Sequence, residues 1–263
     1  MARIIGVYSM KGGVGKTTIA ANLAYGLAAD LGLKTLLWDI DAQGAASFLF
    51  GQERTGSKAK RVFSREVEPS ALIAPTRWPG LDLLAADLSL RHLDRSLSEA
   101  EKPKRLRKLL QSLAAAYDRI VLDCPPGLGE ISDQLFRAVD LVVVPVPPTP
   151  LALRSLVQVE EHLERNHERR PKLLPVISMV DRRKTMHREF VAAHPGWPSL
   201  PHASVVERMA MERAPLAVYA GGSPAARAFA ELKSEVEANL IARPDSKLKP
   251  SASKLARIPK SAR

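Results

Sequence analysis

A glycine-rich run near the N-terminus constrains this chain more than any other feature. The segment from Ser9 to Thr18 reads Ser-Met-Lys-Gly-Gly-Val-Gly-Lys-Thr-Thr. Glycines leave room for consecutive backbone N–H groups to turn towards phosphate oxygens, while a lysine and a threonine can reach phosphate and Mg²⁺. An apolar strand is predicted before the run, over residues 3–8, and a helix after it, over residues 18–31. This order of strand, loop and helix predicts a site for a nucleoside triphosphate.

The loop assigns expected roles to its individual residues. Lys16 is placed to reach the β- and γ-phosphates, and the Thr17 hydroxyl to ligate Mg²⁺. The other loop residues expected to line the nucleotide are Lys11, Gly12, Gly13, Val14, Gly15 and Thr18. The loop departs from the common G-x-x-x-x-G-K-[ST] pattern, because Met10 occupies the first glycine position and an additional lysine, Lys11, follows it.

Apolar strand-like runs alternate with helical patterns along the rest of the chain. Strands are predicted over residues 34–38, 81–85, 119–122, 141–146 and 173–180, and helices over residues 106–117, 151–165 and 225–241. Near-continuous apolar strands between helices indicate a parallel sheet covered on both faces. The predicted fold class is therefore α/β, a three-layer P-loop NTPase fold with a mostly parallel central sheet. The polar stretch 51–69 is predicted to be a variable loop.

Aspartates follow two of the predicted strands. Asp39 and Asp41 come after the strand 34–38, and Asp123 follows the strand 119–122. These positions lie at the carboxyl edge of a parallel sheet, where nucleotide chemistry takes place. A carboxylate at the tip of such a strand, as at Asp123, can coordinate Mg²⁺ directly or through water. A helix cap remains the alternative for Asp39 and Asp41, and a simple turn for Asp123.

These segments resemble the ParA/MinD superfamily of ATPases, and its short ParA-type partition and positioning members most. The resemblance rests on the loop with its early lysine and on the segment Asp-Ile-Asp-Ala-Gln-Gly, in which Ala42 replaces the family's usual proline. It also rests on the segment Tyr-Asp-Arg-Ile-Val-Leu-Asp-Cys-Pro-Pro, which ends at Pro126. The expected cofactors are ATP and Mg²⁺.

The resemblance also implies residue roles. Lys11 would reach across a dimer interface to the partner's nucleotide, and Asp41 would orient the attacking water. Lys11, Lys16 and Asp41 are accordingly the catalytic candidates. The residues expected around Mg²⁺ are Thr17, Asp39 and Asp123, with Asp39 near the ion and outside its direct ligands.

Two later segments resemble the family more loosely. The arginines of Met179–Arg183 could contact DNA or the dimer partner, or could simply be a solvated strand end. The stretch from Ala203 to Pro215 is similar to the family region that helps to hold adenine, although no contacts are assigned there.

The function that the resemblance implies is ATP-dependent positioning. The chain is expected to form a homodimer when ATP is bound, to bind DNA without sequence preference, and to hydrolyse ATP slowly. A ParB-like or cargo-adaptor protein would stimulate hydrolysis, and the cargo would be a plasmid or chromosome partition complex or a protein cluster. One alternative is a MinD-like ATPase that associates with membranes. Another is a metabolic P-loop enzyme, for which the expected cysteines or added substrate domain are missing.

Charge concentrates at the C-terminus. The chain of 263 residues carries a net charge of +11, and residues 241–263 hold seven Lys or Arg against one Asp. With three prolines and four serines, this stretch predicts a disordered basic tail over 243–263, after an ATPase domain over 1–242. The tail suggests a polyanionic partner, with solvation as the alternative. A membrane helix is disfavoured, because Ser253–Lys260 has two large aliphatic residues and a proline.

The remaining metal-binding and redox residues give little further signal. The single cysteine, Cys124, excludes an intramolecular disulfide and fits a cytoplasmic protein, here one expected at the nucleoid. The six histidines show no i,i+4 pair beside a carboxylate, so they are predicted to have surface or core roles and not to bind metal.

Overall fold

The chain folds around one mixed sheet with helices on both faces. The computed structural model describes residues 2–52, 59–64, 66–99 and 104–241. Its strands are β1 (Arg3–Val7), β2 (Thr35–Asp39), β3 (Ile73–Pro75), β4 (Leu81–Leu84), β5 (Arg119–Asp123), β6 (Leu141–Val146), β7 (Lys172–Val180) and β8 (Ser199–Pro201). They lie side by side in the order β3-β4-β2-β5-β1-β6-β7-β8.

Long helices cover the sheet and short ones connect its edges. The long helices are α1 (Lys16–Ala29), α5 (Arg105–Leu113), α6 (Glu130–Ala138), α7 (Pro150–Asn166), α8 (Thr185–Ala193) and α12 (Pro224–Ile241). The short ones are α2 (Ala45–Leu49), α3 (Ala59–Ser64), α4 (Leu93–Glu99), α9 (Ser204–Glu207), α10 (Met209–Glu212) and α11 (Leu216–Ala220).

The predicted fold class is confirmed. All paired strands run parallel except β3, which pairs antiparallel with β4 at one edge of the sheet. The central strands are mostly apolar because both of their faces are buried: β6 reads Leu-Val-Val-Val-Pro-Val and is buried at every position.

Alternate residues of each strand enter two separate cores. On β1, Ile5 packs with α1 and α12, whereas Ile4 packs with α5, α6 and α7 on the opposite face. Both side chains are buried because successive residues of a strand point to opposite faces of the sheet. The two cores hold the carboxyl ends of the central strands in fixed positions, and the loops that follow these strands form the candidate site.

The structure departs from the sequence-based elements at several places. The stretch 51–69, predicted as a variable loop, contains α3, whose Val62 and Phe63 are buried. The elements without a predicted counterpart are the short edge strands β3 and β8 and the helices α2, α4, α6, α8, α9, α10 and α11. Helix α1 begins at Lys16, inside the glycine-rich loop and two residues earlier than predicted.

The C-terminal prediction lies beyond the part of the chain that the structure describes. Helix α12 ends at Ile241, and the basic tail 243–263 is outside the described residues. Among the helices that are described, none combines the length and the apolar character needed to cross a membrane.

A bidentate ion pair fastens α12 to the start of β5. The Arg119 guanidinium donates two hydrogen bonds to Glu237, from Nε to Oε1 at 2.8 Å and from Nη2 to Oε2 at 2.6 Å. The two side chains are 16% and 15% exposed, so water screens the pair weakly.

We expect this pair to stabilise the fold measurably. A double-mutant cycle of Arg119→Ala and Glu237→Ala, followed by urea unfolding, should give a coupling energy of about 1.5–3 kcal/mol. The same cycle on the exposed α7 pair Arg165 and Glu161 should give about 0.5 kcal/mol or less. Equal coupling energies for the two pairs would contradict this prediction.

Candidate nucleotide site

The glycine-rich loop curls around the N-terminus of α1. Gly13 and Gly15 have φ angles of 70° and 93°, in the left-handed region that side-chain-bearing residues rarely adopt. Lys16 is only 7% exposed, and its Nζ donates a hydrogen bond of 3.2 Å to the Lys11 carbonyl oxygen. The loop therefore directs a positive side chain and the positive end of a helix towards the same space, an arrangement suited to phosphate.

Two aspartates meet at the carboxyl ends of neighbouring strands. Asp39 ends β2 and Asp123 ends β5, and the parallel register makes them direct partners across the sheet. Both residues are fully buried. The charge of Asp39 therefore raises the pKa of Asp123, because two negative charges in one buried place repel each other.

Asp123 lacks internal compensation for its charge. Neither of its carboxylate oxygens has a hydrogen-bond partner of normal geometry among the described residues. Burial, followed by the charge of Asp39, raises its pKa well above the usual value, although the Thr17 hydroxyl and the Lys16 ammonium favour the charged form. Orphaned carboxylate oxygens beside a threonine hydroxyl are donors that suit a hard, oxygen-seeking cation such as Mg²⁺. Thr17 and Asp123 are thus the residues that fit that ion.

Asp39 is held differently from Asp123. Its Oδ2 accepts two hydrogen bonds from Ser47, one from the backbone N–H and one from the hydroxyl, each 2.8 Å long. Its Oδ1 accepts a third, of 3.2 Å, from the Asp41 N–H. Burial raises the pKa of Asp39 to about 6, while the bonds from Ser47 oppose the increase. Asp39 therefore fixes the first turn of α2 from within, and it lies next to Asp123 at the same sheet edge.

Asp41 lies further out, on the turn between β2 and α2. Its Oδ1 accepts a hydrogen bond of 2.9 Å from the Gln43 N–H, and its carbonyl oxygen accepts one of 2.9 Å from Gly44. The residue is half-buried. Its carboxylate thus stays partly open to solvent, on the same loop that borders the nucleotide cleft.

Lys11 is half-buried at the opposite end of the glycine-rich loop. Its carbonyl oxygen accepts the Lys16 hydrogen bond, and its N–H donates a bond of 3.3 Å to the Ser9 hydroxyl. Within the described residues, its ammonium makes no hydrogen bond or ion pair.

A cleft of about 760 Å³ extends from the loop and is large enough for a nucleotide base and sugar. It lies between the start of α1, the turn at Ala42–Gly44 and the stretch Pro201–Ala210. This last stretch overlaps the segment from Ala203 to Pro215, which the sequence resemblance associated with adenine binding without assigning contacts. The apolar part of the lining includes Met179, Pro201, Val206 and Met209.

Met179 lines the cleft, although the sequence analysis named its segment only for the arginines that follow it. It interrupts β7 at a register shift, with a left-handed φ of 56° that is uncommon for a residue other than glycine. Its Cε lies 3.9 Å from the position that a Cβ on Gly15 would occupy. The kink therefore aims a flexible apolar side chain at the base of the loop.

The arginines after β7 are solvent-facing. Arg183 is 89% exposed and makes a bidentate pair with Asp181, with both nitrogen–oxygen distances at 2.9 Å. This pair and the hydrogen bond that the Arg183 backbone N–H donates to the carboxylate lower the pKa of Asp181. Arg182 is exposed as well. The arrangement is therefore compatible with a contact to DNA, a contact to a dimer partner or a simple solvated strand end.

Comparison with known proteins identifies the family of this chain. A family described as AAA domain matches residues 2–175. The chromosome partitioning protein ParA of Caulobacter vibrioides is 34% identical over 206 residues, which cover 74% of this chain and 77% of that protein. The chain belongs to the ParA/MinD superfamily. The resemblance inferred from the motifs is thereby confirmed, and the family is one of ATPases.

Solved structures share the fold across most of the chain. An ATP complex of a McdA variant from Cyanothece has a TM-score of 0.79 at 21% identity, covering 90% of this chain and 96% of that one. The septum site-determining protein MinD of Pyrococcus horikoshii, complexed with Mg-ADP, has a TM-score of 0.73 at 24% identity, covering 90% and 96%. At these identities the similarity concerns the fold alone, which is the P-loop NTPase fold predicted from the sequence.

The uncompensated Asp123 carboxyl yields a stability prediction. Its folded-state pKa is raised, so between the unfolded and folded pKa values the folded chain holds a proton that the unfolded chain has lost. The stability of the chain without nucleotide and Mg²⁺ therefore falls as the pH rises through that interval. Asp123→Asn should raise the free energy of unfolding by about 1–3 kcal/mol at pH 8 and by less at pH 5.

Urea unfolding in EDTA at the two pH values measures this effect. The exposed Glu231→Gln on α12 removes the same charge from the surface and should change stability by about 0.5 kcal/mol or less. A destabilised Asp123→Asn variant at pH 8 would mean that the carboxylate is satisfied inside the folded chain.

Proposed function

We propose that the chain is a ParA-like ATPase that segregates or positions a cargo by cycling between ATP-bound and ATP-free states. The observation that carries the proposal is the buried Asp123 carboxylate, whose oxygens have no hydrogen-bond partner of normal geometry among the described residues and which lies beside Thr17 and Lys16 at the end of a glycine-rich loop. Such a carboxylate is costly in an isolated fold and becomes favourable when a nucleotide-bound Mg²⁺ neutralises it. The 34% identity to ParA favours the partition branch over other ATPases of this fold.

In this proposal ATP and Mg²⁺ occupy the loop and the cleft beside it. Gly12–Gly15 and Thr18 supply backbone donors to the phosphates, and Lys16 exchanges its bond to Lys11 for one to phosphate oxygen. Thr17 and Asp123 hold the ion, with Asp39 next to them. Mg²⁺ supplies charge neutralisation at the phosphates when bound. The structures of relatives with ATP or with Mg-ADP support this choice of cofactors.

Hydrolysis would depend on positioning more than on covalent chemistry. Asp41 is on the loop that borders the cleft, and its partly exposed carboxylate is suited to hold a water in line with the γ-phosphate. Lys11 would act in a homodimer. It lies at the start of the phosphate loop, and its ammonium has no partner among the described residues. Each subunit would then complete the other's site.

The ATP-bound dimer is proposed to bind DNA without sequence preference. The net charge of +11 and the basic stretch 243–263, which follows the ATPase domain 1–242, supply attraction to phosphates. A ParB-like or cargo-adaptor protein would accelerate hydrolysis and release the dimer. The place of action would then be the cytoplasm, at the nucleoid, and the cargo a partition complex or a protein cluster.

Variants of the loop and of Asp41 separate binding from hydrolysis. Lys16→Ala should lose ATP binding, because the ammonium no longer neutralises phosphate charge. Asp41→Ala should bind ATP, hydrolyse it about a hundredfold more slowly, and accumulate as a dimer. Lys11→Ala should bind ATP and remain a monomer. Nucleotide affinity, phosphate release and light scattering, each with Mg²⁺, measure the three properties.

The three variants also serve as one another's controls. Unchanged ATP affinity in Lys16→Ala would overturn the nucleotide site, and hydrolysis at the parent rate in Asp41→Ala would overturn the role of Asp41. A Lys11→Ala dimer as stable as the parent one would remove the reason for placing Lys11 at the interface.

The tail gives a separate prediction that also tests the membrane alternative. Deleting residues 244–263 should weaken ATP-dependent DNA binding and flatten its salt dependence, by about 0.9 in the log–log slope for each lost phosphate contact. A full-length chain with the six Lys and Arg of that stretch changed to Gln is the matched control and should behave like the deletion. Cosedimentation with DNA and with anionic vesicles, with and without ATP, is the measurement. Unchanged DNA binding would leave the tail a solvating segment, and ATP-dependent vesicle binding alone would favour a MinD-like function.

A further inference from the structure

Three potential metal ligands converge at a place that the nucleotide chemistry does not use. Asp133 Oδ1 lies 2.7 Å from His162 Nε2 and 2.9 Å from His167 Nε2. One ligand atom from each of the three side chains falls within 4.8 Å of the other two. Two imidazole nitrogens thus converge on one carboxylate oxygen, which sequence spacing gave no reason to expect.

The fold builds this point from two helices. Asp133 lies in α6, one turn after the Pro125–Gly129 turn, and His162 lies in the last turns of α7. His167 follows the end of α7, where the chain turns back towards α6. Phe136 packs edge-on against the His167 ring, with centroids 5.8 Å apart, and fixes its orientation.

The point is closed on one side and open on the other. The His167 side chain is 1% exposed, whereas those of His162 and Asp133 are 24% and 25% exposed. An ion could therefore enter from solvent, and a water molecule could complete its coordination. Burial tends to raise the pKa of Asp133, but the hydrogen bonds from both histidines outweigh it and lower the pKa, so the carboxyl is ionised at neutral pH.

We propose that Asp133, His162 and His167 form a Zn²⁺ site with water as the fourth ligand. Imidazole nitrogen and carboxylate oxygen are ligands that Zn²⁺ accepts in tetrahedral geometry, whereas Mg²⁺ disfavours imidazole. Ligand distances near 2.1 Å place tetrahedral ligand atoms roughly 3.4 Å apart. The hydrogen-bonded atoms, at 2.7 and 2.9 Å, need to separate by about 0.5 to 0.7 Å to admit the ion.

Asn166 provides a means to tune the site. Its Nδ2 lies 3.2 Å from His162 Nδ1. A zinc-bound His162 carries its proton on Nδ1 and needs an acceptor there, as histidine ligands generally do. The Asn166 amide nitrogen, which also donates a hydrogen bond of 3.0 Å to the His162 carbonyl oxygen, cannot accept this proton, so Asn166→Ala removes an opposing donor and should not weaken zinc binding.

The test is Zn²⁺ titration of the untagged full-length chain, stripped with EDTA and free of nucleotide and Mg²⁺, in competition with a chromophoric chelator. We expect one Zn²⁺ per chain. His162→Gln and Asp133→Asn should each weaken binding at least tenfold. The control is His202→Gln, which removes a half-exposed histidine paired with Glu207 outside the cluster and should leave the zinc affinity within twofold.

Two further measurements protect the test against misfolding. Circular dichroism in EDTA establishes that each variant is folded, and Zn²⁺ should raise the melting temperature of the parent chain but not that of the cluster variants. Co²⁺ should give the visible absorption of a four-coordinate site in the parent chain. Absence of stoichiometric Zn²⁺ binding by the parent chain, or equal affinity in folded His162→Gln and Asp133→Asn variants, would overturn the site. Lys16→Ala should bind Zn²⁺ normally, so failure of the nucleotide proposal leaves this result independent.

Discussion

The meeting of two buried carboxyls at the carboxyl ends of β2 and β5 is the constraint on which the rest of the site depends. The parallel register makes Asp39 and Asp123 neighbours, and the helices on both faces remove water from them. The two buried groups are then held differently. Asp39 is compensated by donors from Ser47, whereas Asp123 is left with oxygens that no described residue satisfies. The fold thus retains one carboxylate that an external cation would satisfy.

This arrangement implies a compromise between stability and function. A buried, uncompensated carboxyl weakens the isolated fold, because desolvation is not repaid by hydrogen bonds. The desolvated carboxylate lies at the strand end where a bound cation could neutralise its charge. The bidentate Arg119–Glu237 pair and the two apolar cores provide stability elsewhere, at positions that leave the loop ends free. The left-handed backbone of Met179 is a second unfavourable feature at the site, and it persists only because the surrounding strands hold it in place.

The sequence was sufficient for the features that depend on local pattern. Buried parallel strands are nearly continuous apolar runs, so stretches such as Leu141–Val146 identify the central sheet. The glycine-rich loop and the strand-end aspartates are likewise local, and they met in the structure as expected. Features that depend on tertiary pairing were missed. The antiparallel β3 is stabilised by its pairing with β4, and the short α3 by the packing of Val62 and Phe63 into one of the cores, and not by their own composition.

The cluster of Asp133, His162 and His167 could not be predicted from the sequence either, because it also depends on tertiary structure. His162 and His167 are five residues apart, a spacing that does not place two side chains on one helix face. They meet only because α7 ends between them and the chain reverses, and Asp133 comes from another helix. The role of Ser47 is equally non-local, since its hydroxyl joins Asp39 to the Ala86 N–H of a distant segment.

The two edges of the sheet have a consequence for how copies of this chain can associate. β3 and β8 are each three residues long, and each ends in a proline, Pro75 or Pro201, which cannot donate a backbone hydrogen bond. Such edges offer little to a second strand, so a continuous intermolecular sheet is disfavoured at both sides. Self-association is thereby directed away from backbone pairing and towards contacts between side chains and loops. An assembly built from such contacts can be made and dissolved repeatedly while the sheet itself stays intact.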